Sequence, residues 1–205
     1  TYFDWDRSGE KAENDIVVIT EASFALTGLQ PEKTKVGLIL ESPLLTRQLY
    51  EKIKKREEYE RFDYILTYSR ELWDVDKRFV PYTFGGSWIK DGDRRVYEKA
   101  KNLSIIASIK KNTQWQQLRH DAILYLREKI DGIYGNGYNP IDYKLEALRD
   151  YRYSIVTEND VTNDFFTEKL IDCFLVGVIP IYCGTDFIVE YFNKDGILQF
   201  RTIQE

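Results

Sequence analysis

The segment Phe166-Thr167-Glu168-Lys169-Leu170 places a hydroxyl, a carboxylate and an ammonium group on successive residues. Thr167 has the residue type of a helix N-cap, and a capped helix start presents backbone N–H groups that bind anions. Glu168 is favourably placed in the first turn of such a helix, and Lys169 adds a cation that can bind a phosphate. We therefore predict a helix beginning at about residue 167 that could bind an anion, although capping alone also explains Thr167.

A second candidate is Glu41, which directly follows the continuous apolar run from Val36 to Leu40. Such a run is typical of a strand covered on both faces, and functional groups gather at the carboxyl ends of strands in α/β proteins. Ser42 and Pro43 are typical of a turn that would aim the carboxylate. A solvated carboxylate at a strand end explains the local sequence equally well.

Arg119 and His120 stand together in a segment with helical character. Arg119 is a further candidate for phosphate binding, and a surface charge on the helix is the alternative. His120 is the only histidine, and no serine or cysteine nucleophile motif accompanies it. We therefore expect His120 to be a surface residue of that helix.

Strand-like apolar runs alternate with amphipathic segments, a pattern that predicts α/β layers around a mainly parallel sheet. The predicted strands are residues 16–19, 36–40, 63–68, 103–107, 133–134, 153–157 and 178–182. The predicted helices are residues 44–59, 115–129, 167–176 and 186–192. Between residues 81 and 99, glycines and aspartates replace the periodic apolar pattern, which indicates a domain junction. We predict two α/β domains, over residues 1–84 and 85–205, that face a cleft.

The composition excludes several classes of function. Hydrophobic residues make up 43% and charged residues 31% of the chain, as is ordinary for a soluble globular protein. A net charge of -5 provides no general attraction for nucleic acid or for an anionic membrane. No apolar run approaches the roughly 20 residues that a membrane span needs. We expect a soluble protein that binds neither nucleic acid nor a membrane.

Cys173 and Cys183 are the only cysteines, and both lie in apolar runs, so we predict two buried free thiols. Free thiols favour a reducing compartment, and we expect a cytoplasmic protein of a bacterial or viral type rather than one of the Golgi lumen. With a single histidine, the chain offers no Cys/His cluster for a structural zinc ion. The absence of methionine from 205 residues suggests a piece of a longer chain.

Three Asp-x-Asp sequences have the spelling of a divalent-metal motif, at residues 4–6, 74–76 and 91–93. None is adjacent in sequence to the segment 166–170, so we expect no required metal and no cofactor. Gly135-Asn136-Gly137 lacks the surrounding pattern of a phosphate loop and is predicted to be a turn that ends a strand.

Longer motifs connect these residues. Glu158-Asn159, the segment 165–170 and Gly177-Val178-Ile179-Pro180-Ile181 resemble, in order and spacing, the donor-binding half of the α1,3-fucosyltransferases, glycosyltransferase family 10. The family's motif is Glu-Asn-Ser…Tyr-x-Thr-Glu-Lys, and Phe165 stands where the family usually has tyrosine. Its ring can still stack, but the hydrogen bond of the hydroxyl is lost.

A second match lies upstream. Leu40-Glu41-Ser42-Pro43, Leu66-Thr67-Tyr68-Ser69-Arg70 and Phe79-Val80-Pro81-Tyr82 resemble the family's Glu-Ser-Pro…Thr-Tyr-Arg…Val-Pro-Tyr series from its acceptor-side domain. Together the two matches span most of the chain. The resemblance implies two Rossmann-like domains facing a cleft, the GT-B arrangement, truncated at both ends because the family's enzymes extend further both ways.

The resemblance also implies a reaction, the inverting transfer of fucose from GDP-fucose to a glycan hydroxyl, with an α1,3 linkage to an N-acetylglucosamine-type sugar and no metal. It identifies Glu41 as the general base and Glu168 as the carboxylate that faces fucose and its developing positive charge. It places the other donor contacts at Ser108, Arg119, Asn159, Phe165, Thr167 and Lys169. The match is looser around Ser108, because Ser108-Ile109 replaces the family's Ser-Asn.

Two alternatives remain open. One is the same fold acting on another GDP-sugar, since a fold does not fix the substrate. The other is a non-catalytic fragment that binds nucleotide, which the truncation and the change at Phe165 favour.

Overall fold

The computed structural model describes residues 16–29, 32–83, 85–162 and 164–205. The chain divides into two compact units, Thr1–Thr83 and Phe84–Glu205. Each unit contains one sheet of parallel strands together with helices, so the predicted α/β class is confirmed.

Among the described residues, the sheet of the first unit has four parallel strands in chain order. They are β1 (Ile16–Thr20), β2 (Thr34–Ile39), β3 (Tyr64–Thr67) and β4 (Phe79–Pro81). A 3-10 helix (Glu21–Leu29) joins β1 to β2, and three α-helices follow, α1 (Arg47–Ile53), α2 (Arg56–Tyr59) and α3 (Arg70–Trp73). In β2, a Cβ atom on Gly37 would lie 3.1 Å from the ring of Phe62, so the glycine lets the strand pack closely against an aromatic core.

The prediction of one helix over residues 44–59 is wrong. The structure has α1 and α2 there, separated by Lys55 in an extended backbone conformation. Tyr50 and Ile53 are buried in α1, whereas α2 buries no residue. Because the apolar series at fourfold spacing ends at Ile53, no apolar face holds a longer helix against the sheet.

The sheet of the second unit has five parallel strands in the order β6-β5-β7-β8-β9. The strands are β5 (Lys101–Ile106), β6 (Gly132–Tyr134), β7 (Tyr151–Thr157), β8 (Ile179–Cys183) and β9 (Leu198–Gln199). The α-helices are α4 (Gln114–Tyr125) and α5 (Glu168–Leu175), and 3-10 helices cover Asp91–Asp93, Lys144–Ala147, Asp186–Glu190 and Lys194–Gly196.

Helices α4 and α5 cover opposite faces of this second sheet. Side chains of successive strand residues point to opposite faces. Ile105 and Ile155 pack in one cluster with Ile123 of α4, whereas Val156 packs in another with Leu170 of α5. Polar residues that follow β5 and β7 therefore emerge at the carboxyl edge of the sheet, between the two layers of helices.

Smaller differences from the predicted elements have local causes. Strands β4 and β9 are three and two residues long, too short to show an alternating pattern, and the sequence does not predict them. Helix α4 ends at Tyr125 rather than at residue 129. The predicted helix over residues 186–192 is a 3-10 helix of five residues, Asp186–Glu190. None of the helices within the described ranges is long and apolar enough to cross a bilayer.

Candidate functional site

A cavity of about 260 Å³ opens in the second unit at the carboxyl ends of β5 and β7. Helices α4 and α5, the turn after β6 and the 3-10 helix Lys144–Ala147 supply the rest of its wall. Its charged lining residues are Arg119, Lys144, Glu168, Lys169 and Asp172. Binding sites of α/β proteins are commonly found at this edge of a parallel sheet, and the cavity is the candidate site.

Arg119 is buried in the cavity wall, with a relative exposure of 6%, so the alternative of a surface charge is wrong. Helix α4 begins at Gln114, and the side chain of Thr113 caps it by accepting from the N–H of Gln116. Arg119 lies about one and a half turns into the helix. The guanidinium Nε donates to the hydroxyl of Thr157 at 2.6 Å, and Nη2 donates to the carbonyl of the same residue at 2.9 Å. Both partners are neutral, so these contacts orient the guanidinium without cancelling its charge.

The neighbouring His120 is also buried, which corrects its prediction as a surface residue. Its Nε2 lies 3.2 Å from the carbonyl oxygen of Lys110 and its Nδ1 lies 2.7 Å from the hydroxyl of Tyr138. Since a carbonyl only accepts, Nε2 donates and Nδ1 accepts in the neutral ring. The residue ties α4 to two neighbouring loops, a role that its position on the helix did not reveal.

Thr167 caps α5, as predicted, and takes part in a tight cluster with Lys169 and Glu158. Glu158 is fully buried directly after β7 and accepts from the backbone N–H of Thr167 at 2.9 Å. The Thr167 hydroxyl lies 2.9 Å from the other carboxylate oxygen, which also accepts from Nζ of Lys169 at 2.7 Å. A buried carboxylate thus holds both the start of α5 and the ammonium of Lys169 at the cavity.

Glu168 points into the same cavity and pairs with a residue that the sequence did not single out. Lys144, on its 3-10 helix, donates from Nζ to Glu168 at 2.9 Å and to Asp172 at 3.0 Å. Burial of the Glu168 carboxyl raises its pKa, but the charges of Lys144 and Lys169 outweigh this effect and hold the pKa below its ordinary value. Glu168 is therefore an anion at neutral pH.

The turn Gly135-Asn136-Gly137 ends β6, as predicted, and the structure adds that Gly135 and Asn136 lie in the cavity wall. Gly135 has a φ of 107°, and a Cβ atom there would lie 2.1 Å from the carbonyl oxygen of Ala107. Only glycine fits this approach of the turn to the end of β5. Ser108, the next residue along the chain from Ala107, also lines the cavity.

Three of the predicted donor contacts, Asn159, Phe165 and Thr167, are not among the residues that line the cavity. Asn159 follows β7 and accepts through its side chain from Nε2 of Gln116, at 3.2 Å. Phe165 is buried, with 2% relative exposure. The cavity therefore brings together Ser108, Arg119, Glu168 and Lys169. Thr167 lies at its edge, where the threonine hydroxyl accepts from Nζ of Lys169.

Glu41 belongs to the first unit, where it is exposed two residues after the end of β2. Its backbone N–H donates to a carboxylate oxygen of Glu21 at 2.7 Å, and that oxygen also accepts from the N–H of Leu40 at 2.9 Å. The hydroxyl of Tyr50 donates to the Glu41 carbonyl at 3.1 Å. Burial raises the pKa of Tyr50 to about 12, so this donor keeps its proton. Glu21, which the sequence did not single out, thus fixes the backbone from which Glu41 projects.

The two cysteines are buried free thiols, as predicted, and Cys173 lines the cavity. Burial raises the pKa of Cys173 to about 12, so it is a neutral thiol at physiological pH.

Neither of the two Asp-x-Asp sequences that the structure describes, at residues 74–76 and 91–93, lines the cavity. Asp76 accepts from the backbone and side chain of Arg78, and Asp93 accepts from the hydroxyl of Tyr143. Residues 4–6 lie outside the described ranges. Within those ranges, no three His, Cys, Asp or Glu residues form a group that could hold a metal ion.

No protein-family model matches the chain. Among curated proteins it is similar to a putative fucosyltransferase-like protein of Arabidopsis thaliana, with 30% identity over 42% of this chain and 17% of the relative. It is also similar to the GDP-fucose protein O-fucosyltransferase 3 of Gallus gallus, with 36% identity over 27% of this chain and 12% of the relative. The alpha-(1,3)-fucosyltransferase FucT of Helicobacter pylori is 37% identical over 28% of this chain and 12% of its own length. The matches thus span less than a fifth of each relative.

The fold is similar to solved structures of alpha1,3-fucosyltransferase. One matches with a TM-score of 0.59 and 17% identity, over 93% of this chain and 63% of that chain. A structure with GDP matches with a TM-score of 0.58 and 16% identity, over 93% and 62% of the two chains. A structure with GDP-fucose matches with a TM-score of 0.55 and 18% identity, over 84% and 60%. At these identities the similarity shows a shared fold, and this chain spans less than two thirds of each solved chain.

Proposed function

We propose that the chain is the core of an inverting fucosyltransferase of glycosyltransferase family 10, with GDP-fucose bound in the cavity of the second unit. The observation that supports this best is the convergence of Arg119, Lys169 and Glu168 in one cavity at the carboxyl edge of the sheet. The similarity to relatives named as fucosyltransferases, and to structures with GDP and GDP-fucose, supports the same donor.

In this proposal Arg119 and Lys169 bind the diphosphate. A departing diphosphate gains negative charge, so cations fixed around it stabilise the transition state more than the ground state. Lys169 already pairs with Glu158, whereas the hydrogen bonds of Arg119 go to neutral oxygens. Glu158 thus pairs directly with Lys169, and its charge acts on Arg119 only through space. Ser108 and the capped start of α5 add neutral polar groups to the diphosphate site. Asn159 and Phe165 lie behind the cavity wall and contribute to donor binding only indirectly.

The proposed reaction is a single displacement. Glu41 takes the proton of the acceptor hydroxyl, whose oxygen forms a bond to the anomeric carbon of fucose. The bond from that carbon to the diphosphate oxygen breaks, GDP leaves with the electron pair, and the configuration inverts. Glu168 stabilises the positive charge that develops at the anomeric carbon. In the proposal Arg119 and Lys169 serve as the cationic groups that stabilise the leaving group, and no metal ion is required.

The proposed acceptor is a glycan hydroxyl, with an α1,3 linkage to an N-acetylglucosamine-type sugar. A protein hydroxyl is the second candidate, because one relative is named a GDP-fucose protein O-fucosyltransferase. We place the activity in the cytoplasm, since the buried free thiols Cys173 and Cys183 fit a reducing compartment.

Calorimetry and a transfer assay test the proposal together. GDP, GDP-fucose and GDP-mannose are titrated into the protein, and GDP-fucose is then offered with N-acetyllactosamine-type glycans and with folded protein acceptors. We expect binding of GDP-fucose and a fucosylated glycan whose linkage is read by NMR. Binding of GDP without turnover on any acceptor would instead support a nucleotide-binding fragment, and faster transfer from GDP-mannose would replace the donor.

A further inference from the structure

Lys144 occupies an unusual position between two carboxylates of one helix. Glu168 and Asp172 are one turn apart on α5, and the ammonium of Lys144 lies 2.9 Å from the first and 3.0 Å from the second. Two carboxylates at this spacing on a helix repel each other. The ammonium of Lys144, which comes from another element, therefore offsets the repulsion between the two carboxylates.

Asp172 is the anchor of this arrangement. Its side chain is 1% exposed, and one of its oxygens accepts from the hydroxyl of Ser87 at 2.7 Å and from the backbone N–H of Trp88 at 2.9 Å. The other oxygen accepts from Lys144. With both oxygens engaged by fixed donors, Asp172 cannot turn away, and its charge keeps the ammonium at the cavity wall.

The ammonium of Lys144 also lies over the ring of Trp88, 5.9 Å from its centroid. A cation is attracted to the face of an indole ring at this distance. Lys144 thus has Asp172, Glu168 and the Trp88 ring around it, while its side chain remains 23% exposed. Three contacts define the position of a flexible side chain, which an ordinary surface ion pair does not do.

We propose that Lys144 is a positioning residue, which fixes the carboxylate of Glu168 as an anion in the cavity, while Asp172 holds Lys144 in place. This inference rests on the proposed function for its catalytic meaning, because Glu168 is the group that faces the transferred sugar there. The pairing itself, and its effect on the charge of Glu168, can be measured without any transfer.

The charged groups around Glu168 come from three elements. Lys144 approaches from its 3-10 helix, Lys169 and Asp172 lie on α5 itself, and Arg119 of α4 lines the same cavity. Burial disfavours the anion, and the charges of Lys144 and Lys169 outweigh burial, which lowers the pKa of Glu168. Removing Lys144 leaves the like charge of Asp172 and the burial in place, so the pKa must rise.

The titration of the Glu168 carboxylate gives the sharpest test. The protein is labelled with ¹³C at glutamate carboxyl carbons, and the Glu168 signal is assigned by its loss in Glu168→Gln. We expect a higher titration midpoint for Glu168 in Lys144→Met, which keeps the apolar stem but removes the charge. We expect a higher midpoint in Asp172→Asn as well, because Lys144 then loses the carboxylate that anchors it beside Glu168. Lys144→Arg should stay close to the wild type.

A matched control is Lys90→Met. Lys90 is an exposed lysine whose ammonium lies 4.8 Å from the ring centroid of Tyr143, outside the cavity wall. Lys90→Met removes one positive charge from the same unit, and Lys90, like Lys144, contacts an aromatic ring. The Glu168 midpoint should not move in this variant.

Transfer kinetics provide the second readout. In Lys144→Met we expect kcat to fall about tenfold or more, with a KM for GDP-fucose that changes little, and we expect Lys144→Arg to restore kcat. An unmoved Glu168 midpoint in Lys144→Met would overturn the inference, and a lower midpoint in Asp172→Asn would show that Asp172 does not anchor Lys144. If the midpoints shift as expected but the wild type transfers no fucose, the pairing stands and the proposed function fails.

Discussion

Arg119 and Thr157 are joined by two hydrogen bonds, in which Nε donates to the threonine hydroxyl at 2.6 Å and Nη2 donates to the threonine carbonyl at 2.9 Å. Thr157 is the last residue of β7 and Arg119 lies on α4, so the pair fixes the guanidinium at the carboxyl edge of the sheet. Burial lowers the pKa of Arg119 below its ordinary value, but a guanidinium remains charged at neutral pH. The pair therefore presents an oriented cation to the cavity.

Replacing Arg119 with methionine should weaken the binding of GDP about 10- to 100-fold, because a charge-assisted hydrogen bond contributes about 1.5–3 kcal/mol. Calorimetry at fixed ionic strength measures the change. Arg127→Met is the matched control, since Arg127 is exposed just beyond α4 and does not line the cavity. It should change affinity less than about twofold. Equal losses in the two variants would show a general charge effect rather than binding by Arg119.

The sequence predicts features of the site that depend on local chemistry. Thr167 begins α5 because a threonine hydroxyl accepts from a backbone N–H two residues later, and this requires no other part of the chain. Lys144 and Asp172 are different, because they are 28 positions apart and meet only when a 3-10 helix packs beside α5. His120 is buried because Tyr138 and Lys110 approach α4 from loops, which no helical pattern encodes.

In the sheets too, local sequence predicts some features, while others depend on contacts between distant parts of the chain. Continuous apolar runs predict strands buried on both faces, and β2, β5, β7 and β8 lie in or near the predicted ranges. Their order does not follow from the runs, since β5 lies between β6 and β7. That order brings the ends of β5 and β7 side by side and so creates the cavity wall, which is why its lining could be predicted only in part.

Glu41→Gln should lower the rate of fucose transfer about 100- to 10,000-fold, the usual contribution of a general base, because the amide cannot accept the proton. The affinity for GDP should stay within about twofold, since the cavity that holds the cations is in the second unit. Rates and affinities are measured on the same preparations. Glu57→Gln, at an exposed glutamate of α2, is the control and should transfer at the parental rate. Near-parental transfer by Glu41→Gln would show that another group is the base.

Thr167→Val and Thr167→Ser separate the hydroxyl from the methyl group of the α5 cap. The valine variant loses the cap and leaves the buried carboxylate of Glu158 with one donor fewer, so we expect a loss of about 1–3 kcal/mol in the free energy of unfolding. The serine variant keeps the hydroxyl and should lose less than about 0.5 kcal/mol. Urea unfolding measures both. Similar losses in the two variants would mean that packing of the methyl group, and not the hydrogen bonds, stabilises this helix start.

The lowered pKa of Glu168 makes stability depend on pH in a defined direction. Lys144 and Lys169 stabilise the anion in the folded protein against the cost of its burial, so the folded pKa lies below the ordinary 4.5. The stabilisation is complete above pH 4.5 and disappears as the pH falls through the folded pKa. The difference in unfolding free energy between the wild type and Glu168→Gln should therefore be constant near neutral pH and shrink on acidification below 4.5. Chemical unfolding at a series of pH values measures it, and a difference that grows towards acid would contradict the assignment.

A substitution at Gly135 tests how closely the turn after β6 must approach β5. Its φ of 107° is unfavourable for any other residue, and a Cβ atom would stand 2.1 Å from the backbone oxygen of Ala107, which cannot move without distorting the strand end. Gly135→Ala should therefore destabilise the protein by at least about 1–3 kcal/mol and weaken GDP binding, since Ala107 and Ser108 line the cavity. Gly92→Ala is the matched control, because a Cβ atom at Gly92 meets nothing within 4 Å and the residue has no positive φ. The control should be neutral or slightly stabilising, by up to about 1 kcal/mol, through the smaller entropy of its unfolded chain. If Gly135→Ala retains parental stability and affinity, the turn adapts to a side chain and the shape of the cavity does not depend on it.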